Sequence, residues 1–151
     1  MYGVIWISLF FAMMGGYWYA TQPVGPDAAR PDLLAANMLV YQQAAVTYEA
    51  AHATFTGTIP ASSLVFPSWY REIGPWIAEA PTAGTVATYN GAALDVPIEA
   101  MSEALHKLSG DNIAAGIAGS SGLIVPSNMV PSVVTPADVP IGAAVIVTEV
   151  Q

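Results

Sequence analysis

The chain has 151 residues, room for one domain and a short accessory segment. It carries 11 acidic and 3 basic side chains for a net charge of −8, and Arg30, Arg71 and Lys107 form no cluster, so a nucleic-acid partner and a polybasic membrane patch are both excluded. No cysteine is present, which removes disulfides, thiol catalysis and cysteine-ligated metal sites together. Apolar residues reach 54% and charged ones only 9%, so burial can offset chain entropy and charge-driven disorder is not expected.

Part of that apolar excess sits at the start. The first side chain charged at neutral pH is Asp27, and Val4 to Ala20 is a nearly unbroken apolar run. At 1.5 Å per residue its roughly 17 residues span about 26 Å, the lower edge of a hydrocarbon core. Tyr17, Trp18 and Tyr19 then stand where an interfacial aromatic belt would sit, and Pro23 and Pro26 follow. A cleaved signal peptide would want a basic start and small residues before the cut, but no Lys or Arg precedes the run and Trp18 lies three before a cut after Ala20. A pilin-type leader would want a basic segment and an early glutamate, and neither is there. The expectation is a transmembrane anchor over residues 1–22. Within it Ser8, Ala12, Gly16 and Ala20 recur every four residues, a small-residue seam that would let another helix approach closely.

Residues 23–31 read as a proline-broken linker, and residues 32–151 as the domain proper. Asp32 is a plausible N-cap for a helix running to about Phe55, with Leu34, Met38, Tyr41, Ala45, Tyr48, His52 and Phe55 on one face. The flanking positions offer no charge pairs, and Glu49 stands alone, so packing against the domain's own sheet is favoured over a coiled coil. From Gly57 to Gly84, Pro60, Pro67, Pro75 and Pro81 argue against long regular elements. Trp69, Tyr70 and Trp76 in that stretch either cover the edge of the core, the favoured expectation, or form a partner surface.

Asn90-Gly91, between Thr85–Tyr89 and Ala92–Val96, reads as a two-residue hairpin turn. Pro97 opens a second helix with Ile98, Met101, Leu105 and Leu108 on one face, Glu103 and Lys107 paired toward solvent, and Gly110 as its stop. Ile113–Ile117 and Leu123–Val125 read as short strands around Gly119-Ser-Ser-Gly122, and Ala143–Val150 as a final strand. Helices and strands mix without regular alternation. The fold class is therefore α+β: a single N-terminal transmembrane helix and a small mixed helix/strand domain.

The opening MYGVIWISLFFAMMGGYWYA, the stretch LHKLSGDNIAAGIAGSSGLIVP (Leu105 to Pro126) and the length together resemble the PilM family of conjugative-plasmid type IV thin-pilus proteins, over the whole chain. This family is distinct from the cytoplasmic actin-like pilus protein of the same name, and no nucleotide-binding motif is visible. The resemblance implies a single-pass protein of the bacterial inner membrane with its C-terminal domain in the periplasm, part of the basal body or of pilin transport. It implies partners among other assembly proteins: the inner-membrane platform, the outer-membrane secretin and the pilin. It carries over no catalytic residue.

The residues themselves agree with a structural role. His52 and His106 fall on different helices with no acid placed to complete a metal pair, so His52 is expected to pack on its helix face and His106 to lie at the surface. Glu99 and Glu103, one turn apart, are expected to be a solvated face rather than an acid/base pair. Ser121 lacks the second glycine of a nucleophile elbow, and no Lys follows as in a phosphate loop. Neither catalytic, cofactor nor metal residues are assigned, and no small-molecule substrate is expected. The alternatives are a membrane-tethered or secreted hydrolase using Ser121 or a histidine, and a pilin-like filament subunit.

Overall fold

In the computed structural model the described residues are 26–110, 114–120, 122–124 and 138–150. The expected anchor, its Ser8, Ala12, Gly16 and Ala20 seam, and Ser121 all lie outside them. Among the described residues no helix is long and apolar enough to cross a membrane.

The chain enters as helix α1, Pro26–Ala51. The helix starts six residues before Asp32, so residues 26–31 are helical where a linker was expected. Proline is suited to the first helical position, where its missing N–H has no intrahelical partner in any case, whereas Pro31, five residues further in, forgoes one i→i−4 hydrogen bond of the helix. Leu34, Met38, Tyr41 and Ala45 are buried as expected, Tyr48 is half-buried, and His52 lies just past the helix end.

Strand β1 (Gly57–Ile59) and a 3₁₀ turn (Ala61–Ser63) follow, then β2 (Trp76–Thr82) and β3 (Thr85–Asn90). The proline-rich stretch thus holds a seven-residue strand. Pro81 is tolerated because β1 pairs only with Ala78 to Ala80, so nothing on that side needs its N–H, and the β2–β3 ladder breaks register between Glu79 and Thr82.

The hairpin turn is not at Asn90-Gly91. Thr82 pairs with Thr85 across Ala83-Gly84, with Gly84 at φ +78°, and β3 pairs with β2 and β6 rather than with residues 92–96. Asn90 spends its side chain otherwise: Oδ1 accepts from Ala144 N at 2.7 Å, and Nδ2 donates to the Ala92 carbonyl at 2.9 Å. Its amide thus ties the end of β3 to the start of β6.

Helix α2 spans Ile98–Leu108, and Gly110 follows at φ +73°, as the sequence led us to expect. Strands β4 (Ala115–Gly119) and β5 (Gly122–Ile124) form a short hairpin, and β6 (Ala144–Glu149) is the last strand. All pairings are antiparallel, in the order β1-β2-β3-β6-β4-β5, so β6 enters the middle of the sheet and the three-residue strands β1 and β5 form its borders.

Alternation along the strands divides the core in two. Trp76, Ala78, Val86, Ala144 and Ile146 face the helices and pack with Met38, Tyr41, Met101 and Leu105. Ala87, Tyr89, Ala118, Leu123, Val145 and Val147 point to the other face, where Val139 and Ala143 join them. The α+β expectation is met in the domain. What fixes α1 on the sheet is partly polar. Gln42 Nε2 donates to the Val86 carbonyl (3.2 Å) and to Thr148 Oγ1 (3.0 Å), and fully buried Glu49 accepts from Gly84 N through Oε1 (3.0 Å).

Candidate functional site

The segment from Leu64 to Trp76 runs back alongside α1, in the opposite direction. Leu64, Phe66, Tyr70 and Trp76 turn inward, and most of the side chains between them are exposed. Phe66 and Tyr70 stack on each other at 4.5 Å between ring centroids and 14° between planes, and Phe66 also meets Tyr41 at 5.4 Å. Val65 and Trp69 turn outward and are 85% and 70% exposed, values that rule out a role in core packing.

One asparagine pins this segment down. Asn37 Oδ1 accepts from Trp76 Nε1 (2.7 Å), the Tyr70 hydroxyl (3.2 Å) and Ile73 N (3.2 Å), while its Nδ2 donates to the Arg71 carbonyl (2.7 Å). Three donors around one oxygen and a carbonyl at the nitrogen fix the amide's orientation without ambiguity. Burial first, and the nearby Glu72 carboxylate second, raise the Tyr41 and Tyr70 phenols above their ordinary range, so Tyr70 remains a neutral donor to Asn37. The Trp76 indole is wedged over Gly74: a Cβ there would fall 2.2 Å from its Cζ2, so the approach demands glycine.

Between the pinned segment and the helix lies a groove of about 420 Å³, lined by Leu39, Val40, Gln43, Ala44 and Thr47 on α1 and by Val65, Pro67 and Trp69 opposite. The helix residues recur at intervals of three and four, one face of two turns. No lining side chain carries a charge, and the Thr47 hydroxyl is already committed to the Gln43 carbonyl at 2.8 Å. The groove is therefore apolar with a neutral polar fringe, a surface that holds another apolar surface and offers no nucleophile, acid or base.

The three aromatics singled out in the sequence separate here. Tyr70 and Trp76 are 7% and 4% exposed and belong to the core, so they are not available as a partner surface. Trp69 alone is, and it lines the groove. The histidines are reversed from expectation. His52 is exposed, its ring stacked on Tyr48 at 4.1 Å and its Nδ1 2.8 Å from the Tyr48 carbonyl. His106 is buried, because α2 packs against both α1 and the sheet and so hides a wider arc than a single stripe, including Ser102, Ala104 and His106. Glu99 and Glu103 are exposed, as a solvated face requires. Among the described residues no group of three or more metal-ligating side chains gathers.

On the far face of the sheet, buried Glu79 meets Asp138 and Tyr89. Burial first, then a hydrogen bond and repulsion from Asp138, raise the Glu79 carboxyl, against a partial opposing effect of a hydrogen bond with Tyr89. Helical spacing could have given away part of the groove (Leu39, Val40, Ala44, Thr47), but its opposite wall depends on the fold, and no local signal announces Asn37 as the pin.

Fold and groove together define a small α+β domain, a helix-covered antiparallel sheet with an uncharged apolar trough along α1. The family profile for PilM matches residues 9–147, and the chain belongs to the PilM family, a pilus-associated family. Two solved structures bearing that name are similar to it. One, from Escherichia coli B7A, shares 16% identity with a TM-score of 0.56, over 82% of this chain and 95% of its own. The other, from Pseudomonas aeruginosa 2192, shares 20% identity over 80% of this chain and 97% of its own, with a TM-score of 0.42. The first of these has the same fold. A comparison with curated proteins gives no match.

Proposed function

We propose that this protein is a single-pass structural component of the bacterial inner membrane, serving a type IV thin-pilus assembly apparatus of the conjugative kind. Its domain stands in the periplasm and acts by holding other assembly proteins, with the inner-membrane platform, the secretin and the pilin as the candidates. The observation that carries this reading is the groove on α1: exposed Val65 and Trp69 face Leu39 and Val40 with no charge between them, a surface suited to docking and unsuited to catalysis. What supports the membrane placement is the run Val4 to Ala20, which has the length and aromatic border of a span.

Two measurements test it. Mass spectrometry of the mature protein should find Met1 in place and the protein in the carbonate-resistant membrane fraction, digestible by protease only once the outer membrane is opened. A trimmed, soluble chain would overturn the anchor. Val65→Glu, at a position 85% exposed, should leave the fold intact and abolish pilus formation in a complementation assay. Normal pili from that variant would remove the groove from the account.

A further inference from the structure

The docking reading leaves open what the groove holds, and the surface around it is specific on that point. Four exposed large apolar side chains fall along this one side of α1: Val65 and Trp69 in the groove, and Leu33 and Ile73, 61% and 48% exposed, beyond it. Leu33 lies one turn before Asn37 on the same face, and Ile73 N is bonded to Asn37, so the apolar strip continues past the pin. From Leu33 to Thr47 the helix rail is about 21 Å long. The opposite rail is antiparallel to it: Phe66 meets Tyr41, and four residues later Tyr70 meets Asn37, four residues earlier in the helix.

A trough between a helix and a loop can take a strand, a helix, a second copy of this chain or lipid. A strand would need a free extended edge, but the loop turns at Pro67–Tyr70, where Tyr70 N donates to the Pro67 carbonyl at 2.9 Å, and its Arg71 carbonyl and Ile73 N–H are already held by Asn37. A second copy would bring a net charge of −8 against −8. An anionic lipid surface meets the same repulsion. The lining is neutral, whereas exposed Asp32 and Glu72 stand beside Leu33 and Ile73 at one end; Arg71 is exposed there too, its guanidinium directed to the Tyr70 carbonyl, and Arg30 is paired with Asp95.

We propose that the strip receives a single amphipathic α-helix of a partner protein, with an uncharged apolar stripe of about four turns and cationic side chains at the end that meets Asp32 and Glu72. This rests on the docking role above and specifies its partner. The stripe would present side chains at i, i+3, i+4 and i+7 to the trough, with Trp69 closing over them.

Because the chain has no cysteine, Thr47→Cys in the full-length protein is its sole thiol, at the exposed end of the groove. It is labelled with an environment-sensitive dye in zwitterionic lipid nanodiscs and titrated with an 18-residue peptide carrying a leucine stripe and lysine flanks. We expect saturable blue-shifted emission, at least tenfold tighter for this peptide than for a scrambled peptide of the same composition or for one with glutamate flanks. Trp69→Ala in the labelled protein should weaken binding at least tenfold. Equal affinity for striped and scrambled peptides overturns the proposal. So does a dye already blue-shifted before peptide is added, which would show lipid in the groove, and so does efficient disulfide dimerisation of unlabelled Thr47→Cys, which would show a second copy. If the striped peptide fails while Val65→Glu still abolishes pilus formation, the helical partner falls and the docking role stands. If Val65→Glu forms normal pili, both fall.

Discussion

Asn37 offers the sharpest test of how the groove is built. Asn37→Ala removes one acceptor from three donors and one donor from the Arg71 carbonyl. The four losses are not equal. Ile73 and Arg71 are exposed, so water replaces the amide at Ile73 N and the Arg71 carbonyl at little net cost. Trp76 and Tyr70 are almost wholly buried, so their N–H and O–H are left without a full substitute at about 1–3 kcal/mol each. The expected loss is therefore about 2–6 kcal/mol, a large part of the roughly 5–15 kcal/mol that holds a typical domain folded. Urea unfolding followed by far-ultraviolet circular dichroism should show the midpoint falling by about 1–3 M, with an unchanged slope near 2 kcal/mol/M. A double-mutant cycle with Trp76→Phe isolates the mechanism. Once Asn37 is gone the indole N–H has no partner to lose, so Trp76→Phe should cost about 1 kcal/mol less there than in the parent. A loss below about 1 kcal/mol for Asn37→Ala, or additive losses in the cycle, would refute the view that this amide holds the groove wall in place.

Three further outcomes follow from the same structure. Gly74→Ala drives a methyl into the rigid Trp76 indole and should destabilise by about 1–3 kcal/mol in the same titration; a neutral effect would mean the wedge relaxes freely. Trp69→Ala should change stability by less than about 0.5 kcal/mol yet reduce pilus formation, since the side chain is 70% exposed. Glu79 gives a pH dependence of defined sign. Its folded carboxyl holds a proton more tightly than the unfolded one, so its stabilising contribution is complete below the ordinary value of 4.5 and is lost as pH rises through the elevated folded value. Glu79→Gln cannot ionise, so its melting temperature should exceed the parent's at pH 7 and the gap should close toward pH 4. Parallel curves for the two proteins would exclude that assignment.

What could be read in the sequence was what local chemistry decides alone. Helix α2 with its stop at Gly110, the short strands either side of Gly119-Ser-Ser-Gly122, and the last strand all carry their signals within a few residues. Asn90-Gly91 misled because an asparagine amide serves a tertiary contact as readily as a turn, and Ala144 N, 54 residues away, is invisible to a local pattern. Strand β2 was hidden by prolines whose harm depends on which neighbour needs their N–H. The burial of Glu49 was missed for a similar reason: its partner, Gly84 N, comes from a turn that the sequence had placed elsewhere. His106 was misplaced because the width of a buried helical arc depends on how many neighbours surround it. The groove was not read at all: the face named on the helix was the buried one, Leu39, Val40 and Thr47 lie beside it, and the other wall is a loop that the Asn37 hub brings alongside.

The early start of α1 changes what the domain can do in space. A nine-residue leash over residues 23–31 would have let the body swing; instead the chain is rod-like from Pro26 onward, clamped to the sheet through Gln42 and Glu49. Thirteen residues of helix separate Pro26 from Leu39, about 20 Å of fixed rise and a fixed angular bearing. The trough therefore keeps a set height and compass direction relative to Pro26, as a yardstick sets the position of its last mark.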